Sequence, residues 1–186
     1  HSQRVGTQCL GCLVAPSCNC PKLDDTKTGF RYRNLTLMDI LPDILAADLA
    51  VVFCGSAAGT ASARRGAYYA GPGNAFWPTL HVIGLTPHPL QPEEYRSVIQ
   101  FGIGLTDLAK TVSGADALLR TQHFDREGLR RKILRYQPKL LAFTSKRAAQ
   151  EFLQHPVLYG RQQEQLGDTA LFVLPSPSGA ARGYWD

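Results

Sequence analysis

No apolar run in this 186-residue chain approaches the roughly 20 residues that span a bilayer. The N-terminus also lacks the charged-then-apolar layout of a secretory signal, so an intracellular protein with no membrane partner is expected. Internal repeats and low-complexity tracts are absent. The glycine-rich stretches lack what nucleotide sites require. GSAAGTAS has no lysine and the wrong spacing for a phosphate loop, while GPGNAF and GIGLTD each miss the third glycine of a dinucleotide fingerprint. What is present is an ordinary hydrophobic fraction of 44% and a formal charge of +5, with a pI near 9.1. The length suits one folded domain with a short appendage. The basic balance favours an anionic partner, and Arg126, Arg130, Arg131, Lys132 and Arg135 crowd one segment that reads equally as a solvated helix face.

Four of the five cysteines fall in the first twenty residues, as Cys9, Cys12, Cys18 and Cys20. Residues 1–35 hold few core-forming side chains, so they read as a Cys-rich N-terminal extension to a domain over 36–186. A structural zinc held by the four thiolates could order such a segment. Two disulfides, or a tail with free thiols, satisfy the same spacing. Cys54 stands apart and reads as a small buried side chain.

From residue 35 the pattern changes. LTLMDILPDIL has helical spacing interrupted at Pro42, and Leu49–Cys54 is a compact apolar strand followed by a long glycine-rich loop, Gly55–Gly73. Asn74 is placed to cap a helix over AFWPTLHVI. Further helices are predicted over Glu93–Gln100, Asp125–Tyr136 and KRAAQEFLQ, with strands at Ile103–Thr106, KLLAFT and TALFVL. Strands apolar on both faces and separated by helices imply an α/β three-layer sandwich, its central sheet mainly parallel and flanked by helices on both faces. Ligands in such folds bind beyond the carboxyl ends of the strands. GSAAG, GLTD and LPSPSG, each following a strand, therefore mark the candidate site.

VVFCGSAAG, YYAGPGNAFW, GLTD and LPSPSGAAR together, in this order, resemble the uracil-DNA glycosylase superfamily. The resemblance is closest to the mismatch-specific uracil/thymine-DNA glycosylase branch and covers roughly Met38–Arg182. It implies a monofunctional DNA glycosylase of base excision repair. Its partner would be single- or double-stranded DNA carrying uracil or another deaminated base, extruded into a pocket. A monomer is expected, and hydrolysis would need no cofactor. The resemblance places Ser56, Ala57, Tyr69 and Asn74 against the base. Ser176, Ser178, Gly179, Ala180 and Arg182 would lie on the DNA, and we add Arg65 from the basic pair after the first loop.

One departure stands out. Where the resembled branch carries a water-positioning asparagine, this chain has Ala57, whose methyl can neither orient water nor hold charge. Asp107, directly after Gly104-Leu105-Thr106, is the preferred replacement, with Ser56 as a second candidate. Asp107 also reads as the cap of a following helix. A non-catalytic binder of damaged bases or abasic sites is the alternative function.

Overall fold

The computed structural model describes residues 38–184, with side chains through Ala181. Cys9, Cys12, Cys18 and Cys20, the boundary near residue 35 and the Arg182 side chain lie outside the described residues. Among the described residues no helix is long and apolar enough to cross a membrane.

Five strands form one sheet in the order β2-β1-β3-β5-β4. They are β1 (Val51–Ala58), β2 (Ile103–Ser113), β3 (Leu140–Phe143), β4 (Gly160–Leu166) and β5 (Thr169–Val173). All neighbours pair in parallel except β4, which runs antiparallel to β5. Alternation along β1 divides its side chains between two cores. Val52 and Cys54 pack with Leu129, Ile133 and Phe152, whereas Val51 and Phe53 pack with Phe76, Trp77 and Leu80. The first group belongs to α3 (Arg126–Tyr136) and α4 (Lys146–Leu153), the second to α2 (Phe76–Val82). Helices therefore cover both faces, as a near-continuous apolar strand demands.

Several elements differ from their sequence patterns. The strand expected to end at Cys54 continues to Ala58, and the expected loop contains α1 (Thr60–Arg65). Small residues are poor strand formers alone, but here the extension pairs with β2, Gly55 with Asp107, Ala57 with Ala109 and Ala58 with Ser113. β2 likewise runs to Ser113, so Asp107 sits within a strand and caps no helix. LTLMDILPDIL forms no helix over its described part; Ile44 instead makes an antiparallel bridge with Leu105. Residues Pro92–Phe101 wind as a 3-10 helix. Polar β4, GRQQEQL, carries no apolar alternation because it is an edge strand with a mostly exposed face.

The basic segment on α3 is partly spent on internal contacts. Lys132 pairs with Asp43 at 2.5 Å, Arg126 with Glu151 at 3.8 Å, and Arg130 lies over the Phe152 ring.

Gly104 shows how closely the chain crosses β2. A Cβ there would lie 2.8 Å from the Ile44 carbonyl oxygen and 2.9 Å from Val52 Cγ2. Gly104→Ala is expected to lower stability by about 1–3 kcal/mol, since neither backbone nor core side chain can retreat freely. An unchanged midpoint in urea unfolding would contradict this close packing.

Candidate base-binding site

The parallel strands bring their carboxyl ends to one edge of the sheet, and a cavity of about 530 Å³ opens there. Its walls include Gly55–Ser62 from the end of β1 into α1, Asp107 from β2, and Ser176–Ser178 with Ala180 and Ala181 after β5. Tyr69 and Asn74 contribute from the segment between α1 and α2. The three strand-end motifs singled out in the sequence thus meet.

Asp107 forms the electrostatic centre. It pairs in register with Gly55, and a Cβ on residue 55 would lie 2.5 Å from Asp107 Oδ1. Glycine is required at 55 because the carboxyl occupies the space a side chain would take. Asp107 is only 5% exposed, and no hydrogen bond from the described residues reaches its carboxyl. Burial pushes its pKa up to about 7; Lys110 opposes the rise and Asp43 adds to it.

A second carboxylate nearby is handled in the opposite way. Burial disfavours the charge on Asp43, but Lys110, Lys132 and the Thr106 hydroxyl outweigh it and hold its pKa below the ordinary value. Lys110 Nζ lies 2.7 Å from Asp43 and donates to the Leu41 carbonyl at 2.6 Å and the Tyr68 hydroxyl at 3.2 Å. Those three acceptors match the three N–H groups of an ammonium. An irregularity in the β1–β2 pairing, between Ala57 and Ala58, precedes the point where Ala58 pairs with Ser113.

Tyr69 combines packing with exposure to the cavity. Its ring stacks on Phe76 at 3.8 Å between centroids, 21° from parallel, and its hydroxyl lies 3.3 Å from Thr144 Oγ1. Its φ of +53° is the left-handed region, uncommon for a bulky residue and frequent at ligand sites. Ala75, not Asn74, is the N-cap of α2, and no side chain caps it; Asn74 lies one residue earlier, where its Oδ1 accepts the Phe76 N–H at 3.0 Å and leaves its amide nitrogen as a donor. Phe76 and Trp77 are core residues, and Trp77 Nε1 donates to the Tyr68 carbonyl at 3.0 Å. His81 is turned back toward its own helix end, with Nδ1 3.2 Å from the Thr86 carbonyl.

Ser56 is buried, with its Oγ 2.9 Å from Ser145 Oγ. Ala57 is among the cavity-lining residues and also packs against the core. Ser178 N–H donates to Ser176 Oγ and Ala180 N–H to Ser178 Oγ, both at 3.3 Å, so the loop after β5 holds its own shape. The Ala75 N–H donates to the Pro177 carbonyl at 2.8 Å and ties this loop to the start of α2. Gly179 begins the final 3-10 segment, Gly179–Tyr184, with its Cα against the Pro72–Gly73 backbone. Arg65 lies apart from the cavity lining; its guanidinium is paired with Glu93 and donates to the Ala70 carbonyl at 3.0 Å.

The family model of the Uracil DNA glycosylase superfamily matches residues 42–185. The chain belongs to that superfamily. It is also similar to the solution NMR structure of a candidate uracil DNA glycosylase from Methanosarcina acetivorans. That likeness has a TM-score of 0.53 at 23% identity, covering 81% of this chain and 89% of the other, and concerns the fold.

Two stretches of this superfamily member's cavity escaped the sequence reading. Thr144 and Ser145 follow β3, whose carboxyl end had to lie beside those of β1 and β5 in a parallel sheet. Gly114–Asp116 follow β2, hidden because that strand runs seven residues beyond its expected end at Thr106.

A carboxyl with a raised pKa favours its protonated form in the folded state. Between the ordinary value of 3.8 and about 7, the native protein holds a proton that the unfolded chain has lost. The stability from that proton is present at low pH and lost as pH rises to about 7. Asp107→Asn is therefore expected to raise the melting temperature, relative to the parent, by more at pH 8.5 than at pH 5. Equal differences at the two pH values would show that Asp107 titrates normally.

Proposed function

We propose that the protein is a monofunctional DNA glycosylase, nearest by its motifs to the mismatch-specific uracil/thymine branch. It hydrolyses the N-glycosidic bond of uracil, or of a related deaminated base, and leaves an abasic site in single- or double-stranded DNA. Superfamily membership supports the class of substrate. The observation that carries the catalytic reading is Asp107, a buried carboxyl without a hydrogen bond among the described residues, in the wall of the cavity at the strand ends.

The extruded nucleotide enters over the small side chains of Ser56, Ala57 and Ala58 and lies against Tyr69. The Asn74 amide nitrogen and the backbone N–H groups near Ser56 and Tyr69 donate to the base oxygens. They take up the negative charge that grows as the C1′–N bond breaks. The sugar left behind is a cation, which the ionised Asp107 stabilises while orienting a water toward C1′. The water oxygen joins C1′, its proton passes through Asp107, and the departing base anion accepts it. Ser56 holds the loop through Ser145 and supplies a hydroxyl beside this path.

Water is the nucleophile in this scheme. Lys110 stands three residues beyond Asp107, but its ammonium is held by Asp43, Leu41 and Tyr68. It does not line the cavity and so is not placed to form a Schiff base with the sugar. The reaction needs no cofactor; a zinc on Cys9, Cys12, Cys18 and Cys20 would serve structure alone. Ala57 favours the second reading, a binder of damaged bases without turnover.

Purified protein incubated with oligonucleotides carrying one uracil is expected to generate alkali-labile sites. Asp107→Ala should lower the single-turnover rate by about 100-fold or more. The rate should rise with pH through about 7, because the ionised form of Asp107 is the active one. Strand cleavage that survives Asp107→Ala at the parental rate removes that residue from the mechanism. No base release from uracil, hypoxanthine or xanthine substrates leaves the binder.

A further inference from the structure

A base inside a duplex reaches the cavity only after leaving its stack, and the gap it leaves collapses unless something fills it. Proteins that open a duplex commonly insert an apolar wedge for this purpose. In the loop after β5, the side chain facing the cavity at position 180 is a methyl. The segment of the lining that follows β2 leads to a larger group.

Gly114, Ala115 and Asp116 line the cavity, and Leu118 follows them in a short 3-10 turn, Asp116–Leu118. Leu118 is 73% exposed, and its Cδ1 lies 3.8 Å from where a Cβ on Gly114 would stand. The turn is pinned on both sides of it. Gly114 N–H donates to the Ala58 carbonyl at 2.9 Å, at the end of β1, and Leu119 is buried in the core with Phe124 and Leu129. Leu118 N–H donates to the Ala115 carbonyl at 2.9 Å, which closes the turn. Adjacent leucines thus differ in burial, one anchoring the turn in the core and one exposed beside cavity-lining Gly114. Exposed Arg120 follows, a cation suited to the phosphates of the strand being opened. Leu118 stands two residues from cavity-lining Asp116, whereas exposed Met38 stands three from Leu41 and exposed Val82, Ile83 and Leu158 lie farther in sequence from any lining residue.

We propose that Leu118 is the duplex-opening wedge of this protein, entering the base stack of double-stranded DNA as the target nucleotide moves into the cavity. The inference rests on the glycosylase reading for the identity of the target base. It does not require that the bond then be cleaved. A rigid turn lowers the entropy lost on insertion, and a leucine side chain replaces the apolar contacts of the departing base.

The test uses a duplex with one uracil beside 2-aminopurine, whose fluorescence rises when its neighbour unstacks. Uracil release is measured in parallel from the same sequence as duplex and as single strand. The parent protein is expected to raise the fluorescence, Leu118→Ala to lose most of the rise, and Leu118→Phe to recover it. Uracil release by Leu118→Ala should fall at least tenfold on duplex and less than about twofold on single strands, where there is no stack to fill. Unchanged thermal melting would exclude misfolding, as expected for an exposed side chain. An equal fluorescence rise in parent and Leu118→Ala overturns the wedge, as does an equal loss of release on both substrates. A rise that depends on Leu118 without any base release keeps the wedge and rejects the glycosylase. Base release from single strands without a rise in the parent does the reverse.

Discussion

The structure turns on one contact, the Asp107 carboxyl pressed against the Cα of Gly55 across the β1–β2 pair. Parallel pairing in this register sets the carboxyl at the carboxyl-terminal edge of the sheet, where the loops diverge and a cavity can open. Any side chain at 55 would displace it. Burial then raises its pKa toward neutrality, because the carboxyl takes no hydrogen bond from the described residues that would favour its charge. A carboxyl whose charge is disfavoured by burial costs stability near neutral pH, and its retention in a cavity wall is the pattern expected of chemistry.

The surrounding electrostatics separate two carboxylates that lie near enough to influence one another. Asp43 is ionised by direct contact with Lys110 and Lys132, whereas Asp107 feels Lys110 without touching it. One carboxylate therefore serves structure and the other is left to titrate. Tyr68 completes the division. Its hydroxyl accepts from Lys110, and burial together with the two carboxylates raises its pKa, so it stays neutral. The remaining wall is made of short hydroxyl side chains and methyls, which leave room for a planar ligand beside the Tyr69–Phe76 stack.

Much of this was legible in the sequence, for physical reasons. Strands apolar on both faces required a covered parallel sheet, and parallel strands required their following loops to meet. GSAAG, GLTD and LPSPSG could therefore be grouped without coordinates. Strand lengths were hidden. Ser56-Ala57-Ala58 carries no strand signal of its own and extends through its pairing with β2, whereas Lys110–Ser113 is too short and polar a run to mark where β2 ends, and its register shifts against Ala57 and Ala58. The wall formed by Gly114–Asp116 was lost with them. Asn74 and Tyr69 show a different limit: each does the structural and the site-lining task at once, which residue type alone cannot reveal. The Asp43–Lys110–Lys132 cluster joins residues far apart in sequence through no motif, and only the fold assembles it.

The central claim is that Asp107 is a cavity carboxyl poised near neutrality, close enough to the bound base to respond to it. Carbon-13 NMR of the aspartate carboxyl groups, assigned by loss of one signal in Asp107→Asn, follows that group alone as pH is varied. The account requires a midpoint near 7 for Asp107, with the signal displaced when uracil is added. A midpoint near the ordinary 3.8, with no response to uracil, would contradict it.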